Sequence, residues 1–204
     1  MNISYQNNRD ILLYMNHIEK IREKLLFIYD VLTNKISLQS ETYNNEIIAL
    51  QFRKILELIA FSSLIANKEK YSYAYEKWYM HYKSKSILKC IEELNPQFYP
   101  DPGVLENDPF TKLFIFKSKK WANDYLTQDD FEELYDYCSE ILHIKNPFNT
   151  KSHGQKYSWT EWSDRILRLL HSYWLELPDT TDSWLVSMLK NEPVQVVYLG
   201  KKTN

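Results

Sequence analysis

The sequence predicts a mainly α fold, a multi-helix bundle with a short central ribbon and a C-terminal β-hairpin. Three observations predict it. Long segments carry apolar residues at helical spacing, capping strings precede the later ones, and strand-like alternation is confined to residues 111–121 and the C-terminal tail. A single helical domain over residues 1–204 is expected, with residues 182–204 as its hairpin appendage.

The first helix is read from residues 8–32, where Ile11, Tyr14, Ile18, Ile21, Leu25, Ile28 and Leu32 alternate spacings of three and four. Ser40 and Thr42 are candidate caps for a second helix over 41–67. Its apolar residues cover most of the circumference, so it reads as the central, buried helix. A third helix is expected over 70–94, with Tyr71, Tyr75, Trp78, Tyr79 and Tyr82 on one face. That stripe suits core packing, or a stacking platform for single-stranded nucleic acid.

Asn95, Pro96, Pro100, Pro102, Gly103 and Pro109 then break regular structure ahead of the ribbon. Thr127 opens a Thr-x-x-Asp cap for a fourth helix ending near His143, and Asn146-Pro147 stops it. Ser158 and Glu161 form a capping box for a fifth helix, read through Trp174. The hairpin pairs residues 183–189 with 194–199 around the turn at Asn191, Glu192 and Pro193.

Composition narrows the chemistry. The 204 residues carry 25 Lys plus Arg against 27 Asp plus Glu, a formal charge of −2 that excludes a strongly basic nucleic-acid wrapper. With only three glycines, neither a dinucleotide-binding GxGxxG loop nor a P-loop can be assembled. No apolar run has the length of a membrane span, and residues 1–10 lack the basic start of a secretion signal, so a cytoplasmic protein without membrane contact is expected. Cys90 and Cys138 are expected to be reduced and unlinked. The histidines, at 17, 81, 143, 153 and 171, show no metal-ligand spacing, and no metal or cofactor is expected.

Few residues stand out as chemical candidates. Arg53 and Glu57 lie at i, i+4 in the apolar second helix, as a buried structural ion pair or as an anion ligand with its orienting carboxylate. His143 ends the fourth helix as a dipole-stabilised cap or as a general acid or base, with Lys145 and Asn146 beside it to hold an anionic substrate. On the fifth helix Arg165 precedes His171 by six positions, leaving them about 120° apart and about 9 Å displaced in height. Lys112, Lys117, Lys119 and Lys120 form the main basic cluster, read as lysines guarding a strand edge or as a phosphate contact.

Three strings, Leu50 to Ile59 with Arg53 and Glu57, Leu94 to Pro100 with Asn95-Pro96-x-Phe98-Tyr99-Pro100, and Tyr135 to Phe148 with His143-x-x-Asn146-Pro147, resemble a group of uncharacterised prokaryotic proteins. The helical layout is more distantly similar to HEPN domains. These are helical bundles of toxin–antitoxin and abortive-infection systems, many of them metal-independent ribonucleases with an Arg, four to six residues, then His signature. Arg165 to His171 fits that spacing, and Arg53 with His143 is the other pair the resemblance suggests. It implies a defence or toxin protein acting on RNA, with a homodimer or protein partner, or else a non-catalytic protein-interaction module.

Overall fold

The structure, a computed structural model, describes residues 5–68, 88–89, 92–93, 95–111, 114–144, 154–177 and 182–199. It departs from the bundle the sequence predicts. Helices α1 (Tyr5–Leu32), α2 (Glu41–Ala66), α3 (Gln128–Leu142) and α4 (Trp159–Leu170) accompany a five-stranded antiparallel sheet. Its strands are β1 (Asp101–Asn107), β2 (Phe114–Ser118), β3 (Ser172–Glu176), β4 (Ser183–Ser187) and β5 (Gln195–Leu199), in the order β2-β1-β3-β4-β5.

Two elements account for the correction. The Pro- and Gly-bearing segment after residue 100 forms β1, although it reads as a break; Pro102 and Gly103 lie where the strand begins to pair. The fifth predicted helix stops at Leu170, and its last predicted turn runs into β3 instead, because Tyr173 and Trp174 have strand propensity and the strand has period-two burial. β1 pairs with both β2 and β3, so these strands join the predicted ribbon to the predicted hairpin in one sheet. The third predicted helix, with its Tyr71–Tyr82 stripe, lies almost wholly outside the described residues.

The helices follow their local signals. Ser40 caps α2 by accepting from the Tyr43 amide, Thr127 and Asp130 form a reciprocal capping box on α3, and Ser158 caps α4 through the Glu161 amide. Tyr14, Ile18, Ile21, Leu25 and Ile28 of the α1 seam are buried, as are Phe52, Ile55, Leu56 and Ile59 of α2. Trp159 of α4 stacks on Phe52 with ring centroids 5.3 Å apart and donates its indole N–H to Asn45, tying α4 to α2.

Register assigns the two faces of the sheet. Tyr173, Leu175, Trp184 and Val186 turn inward and are buried. There α1 closes the core: the Tyr14 and Tyr173 hydroxyls share a 2.7 Å hydrogen bond, and the Tyr14 ring meets the Trp184 edge at 5.2 Å. Burial pushes both phenols above the ordinary tyrosine range, so this contact is between neutral hydroxyls. The opposite face carries Leu105, Phe114, Phe116, Trp174, Leu185, Val197 and Leu199.

Candidate functional site

The residues singled out in the sequence fall in separate places. Arg53 projects from α2 toward α3, where its Nη2 donates to the Tyr135 hydroxyl at 2.8 Å and its guanidinium lies 4.7 Å from that ring's centroid. Glu57 is a looser partner, 3.9 Å from Arg53 Nε, with the two side chains 26% and 39% exposed. The pair is therefore part-exposed, not buried, because one arc of this otherwise apolar helix reaches the surface beside α3. His143 is the exposed C-cap of α3, its backbone N–H donating to the Ser139 carbonyl. Lys145 and Asn146 lie outside the described residues.

Arg165 and His171 are separated by their environments. His171 caps α4 at the surface, its amide donating to Leu167 and its carbonyl accepting from Met188. Arg165 points the other way, into the protein, with a side chain 7% exposed, and is held there by Asp130 of α3. Its Nη2 and Nε donate to the same carboxylate oxygen at 2.7 and 3.1 Å. Nη2 also donates to the Asn123 carbonyl at 2.9 Å, presented by a residue with φ of 50°, a conformation asparagine tolerates. None of the hydrogen bonds or ion pairs of Arg165 goes to His171.

In the sequence Asp130 shows only as a capping residue, yet it organises this region. Its second oxygen accepts from Lys156 at 3.0 Å, and the Thr127 amide donates to the first. Burial alone would raise its carboxyl pKa; the hydrogen bonds from Lys156 and Arg165 outweigh that and hold it below the usual carboxylate range. Lys156 is in turn raised by its hydrogen bonds to Glu133 and Asp130 and stays charged. The Tyr157 ring lies against both cations, 4.6 Å from the Arg165 guanidinium carbon and 5.3 Å from Lys156 Nζ.

Beside this cluster a polar cavity of about 460 Å³ opens between the start of α3, α4 and the loop around residue 97. Tyr99, Tyr125, Lys120, Gln97 and Asn123 complete its wall with the Asp130 cluster. Tyr99 donates to the Leu126 carbonyl at 2.8 Å, which fixes the chain as it enters α3. The Asn-Pro-x-Phe-Tyr-Pro string thus supplies a wall of the cavity, through Pro96, Gln97 and Tyr99. One signal was available beforehand: an arginine inside a leucine-rich helix needs a carboxylate, and the Thr-x-x-Asp cap supplied one.

The outer sheet face is the second candidate. Its groove, about 740 Å³, is apolar along its floor and has Asp101 and Glu176 at one end. Phe116 and Trp174 pair across the sheet at 5.6 Å between centroids. Gly103 permits this, since a Cβ there would collide with the Phe116 ring and the Lys117 carbonyl. Phe114 is 72% exposed and Val197 48%. On the edge strand β2, Lys117 pairs with Glu106 at 2.6 Å, and Lys120 follows at 3.5 Å from Asp101, an edge lined with lysines. Lys112 lies outside the described residues.

Cys138 is buried and its thiol is pushed up to about 12 by desolvation, so it is a core residue and not a nucleophile; Cys90 lies outside the described residues. Among the described residues no group of three or more His, Cys, Asp or Glu is placed to hold a metal ion. None of the described helices is long and apolar enough to cross a membrane. Compared with known proteins, the chain matches no family model, no curated protein and no solved structure.

Proposed function

We propose that this chain is a non-catalytic protein-interaction module whose outer sheet face receives a basic amphipathic helix of a partner protein. The observation that carries the reading is the apolar outer face, exposed at Leu105 and Phe114 on one flank and at Val197 and Leu199 on the other, with Leu185 buried between them. Five strands spaced about 4.8 Å apart make it about 19 Å wide. Large apolar side chains exposed together on one face mark an interaction site. Helices already cover the inner face, and a helix on the outer one completes a three-layer arrangement.

Charge selects the partner. Glu176 ends the groove with no cation partner for its carboxylate among the described residues, and Asp101 stands near it at the same end. A helix with leucine-like anchors and lysine or arginine near one end fits both features. The placement of the two candidate histidines, His143 and His171, supports the non-catalytic reading: both stand exposed at helix ends, and Arg165 is held by Asp130.

The test uses fluorescence anisotropy with two synthetic helical peptides, one of Leu and Lys and one of Leu and Glu. The Leu/Lys peptide is expected to bind with a dissociation constant on the order of 10 μM. The Leu/Glu peptide should be at least about tenfold weaker, and the double substitution Phe114→Asp, Val197→Asp should weaken the first by about tenfold. Equal affinity for both peptides, or none for either, would overturn the proposal. Concentration-dependent dimerisation abolished by the same double substitution would place a second copy on the face instead. RNA cleaved in EDTA, and spared in His143→Ala or His171→Ala, would put catalysis ahead of interaction.

A further inference from the structure

The two edges of the sheet are closed off differently. β2 carries Lys117, with Lys119 and Lys120 just beyond it, and lysine side chains on an edge discourage the addition of a further strand. β5, the segment from Gln195 to Leu199, carries no charged residue and no proline. Among the described residues its backbone pairs with β4 alone, so every second N–H and C=O faces outward from the sheet without a partner there. Val197, Tyr198 and Leu199 are all exposed, although consecutive side chains of a strand point to opposite faces. Both faces are therefore open at this rim.

The open edge is held in shape from behind. Glu19 of α1 accepts from the Val194 amide at 2.7 Å, and Arg22 of α1 donates to the Leu189 carbonyl at 3.0 Å, fixing both sides of the turn between β4 and β5. Farther along, the Tyr198 hydroxyl donates to Asp182 just ahead of β4, so this side chain leans toward β4 and away from the open side. A strand already fixed loses little conformational freedom when another pairs with it.

We infer that β5 pairs edge to edge with β5 of a second copy of this chain, antiparallel about a two-fold axis at Val197, joining the two five-stranded sheets into one. The strand is self-complementary in that register. Val197 stands opposite Val197, Val196 opposite Tyr198 and Gln195 opposite Leu199, so no charge meets a like charge and each pair shares a face. Val197 and Leu199 line the outer groove, and the pairing sets the two grooves side by side. A two-fold contact consumes both β5 edges and leaves only the lysine-bearing β2 edges outside, so assembly closes at two copies. The pairing rests on the edge and leaves the outer face open to a helix.

Sedimentation velocity of the full chain, from about 1 to about 300 μM, tests it. Wild type should pass from monomer to dimer with a dissociation constant on the order of 10–100 μM, as suits a small interface, and go no further. A monomer throughout, or growth beyond the dimer, would overturn the inference. Val197→Lys and Val197→Glu each place like charges opposite one another on the axis and should weaken the dimer at least about tenfold. An equimolar mixture of the two should dimerise again to within about threefold of wild type, because each lysine then faces a glutamate. Recovery in the mixture also shows both variants to be folded. Wild-type dimerisation by either variant alone, or none in the mixture, would refute the two-fold register. Val197 borders the outer face as well as the edge, so Phe114→Asp on the far edge strand separates the two. It should leave the dimer unchanged; a dimer lost with it would put the second copy on the outer face and sink the edge pairing.

Discussion

Arg53 with Glu57 and Arg165 with Asp130 are both arginine–carboxylate pairs, and they hold opposite positions in the molecule's energetics. The first is visible in the sequence at i, i+4, yet its atoms stand 3.9 Å apart at a part-exposed surface and the arginine makes its better contact with Tyr135. The second joins residues 35 apart in the chain, sits in the interior, and uses two donors on one oxygen. Proximity along a helix guarantees that two charges can meet; burial decides whether meeting matters. Removing water makes an isolated charge costly by several kcal/mol, so the interior pair depends on both members as the surface pair does not.

The largest effect should follow from breaking the interior pair on one side. Asp130→Ala leaves Arg165 buried without its carboxylate and removes the Asp130 half of the Thr127 capping box at the start of α3, and it should destabilise the fold by about 3–5 kcal/mol in urea denaturation. Arg165→Met together with Asp130→Asn replaces both charges and should recover most of that loss. A single substitution costing under about 1 kcal/mol would show the pair to be as dispensable as Arg53 with Glu57.

Acid separates the two pairs next. Asp130 has its carboxyl pKa lowered in the fold, so it contributes stability that is fully present above its unfolded value of about 3.9. That contribution drains away as pH falls from there through the folded value. Wild type should therefore lose stability more steeply below about pH 4 than the Asp130→Asn, Arg165→Met double variant. Parallel melting-temperature curves for the two proteins between pH 2 and 5 would refute the assignment.

What the sequence disclosed follows the same division between local and remote. Helices α1 and α2, the caps at Ser40, Thr127 and Ser158, and strands β2, β4 and β5 are written in periodicities and short strings, and they stand near where those place them. The sequence does not show β1 and β3 because their identity comes from their neighbours: a segment opening with Pro102 and Gly103 becomes a strand only when β2 and β3 flank it. Tyr173 and Trp174 continue the apolar pattern of α4 yet turn into β3, where they pair with β4. The polar cavity was harder still. In the sequence Arg165 stands out for its spacing to His171, but its partner Asp130, which Lys156 shares, comes from another element, and only tertiary packing brings the three together.

Between α2 and α3 the ranking of Arg53's two contacts gives a smaller effect. Tyr135→Phe keeps the ring under the guanidinium and removes only the hydroxyl that accepts from Nη2, so it should cost about 0.5–1.5 kcal/mol. Glu57→Ala removes a carboxylate that water already solvates and whose Coulomb attraction is screened, and it should cost no more than about 0.5 kcal/mol. Raising salt to about 1 M shortens the Debye length to about 3 Å and should erase the Glu57 effect while leaving that of Tyr135, whose contact is short and partly shielded. Urea denaturation of the two variants at low and high salt makes the distinction. A Glu57→Ala cost above that of Tyr135→Phe at both salt concentrations would mean that the helical pair, for all its exposure, is Arg53's principal partner.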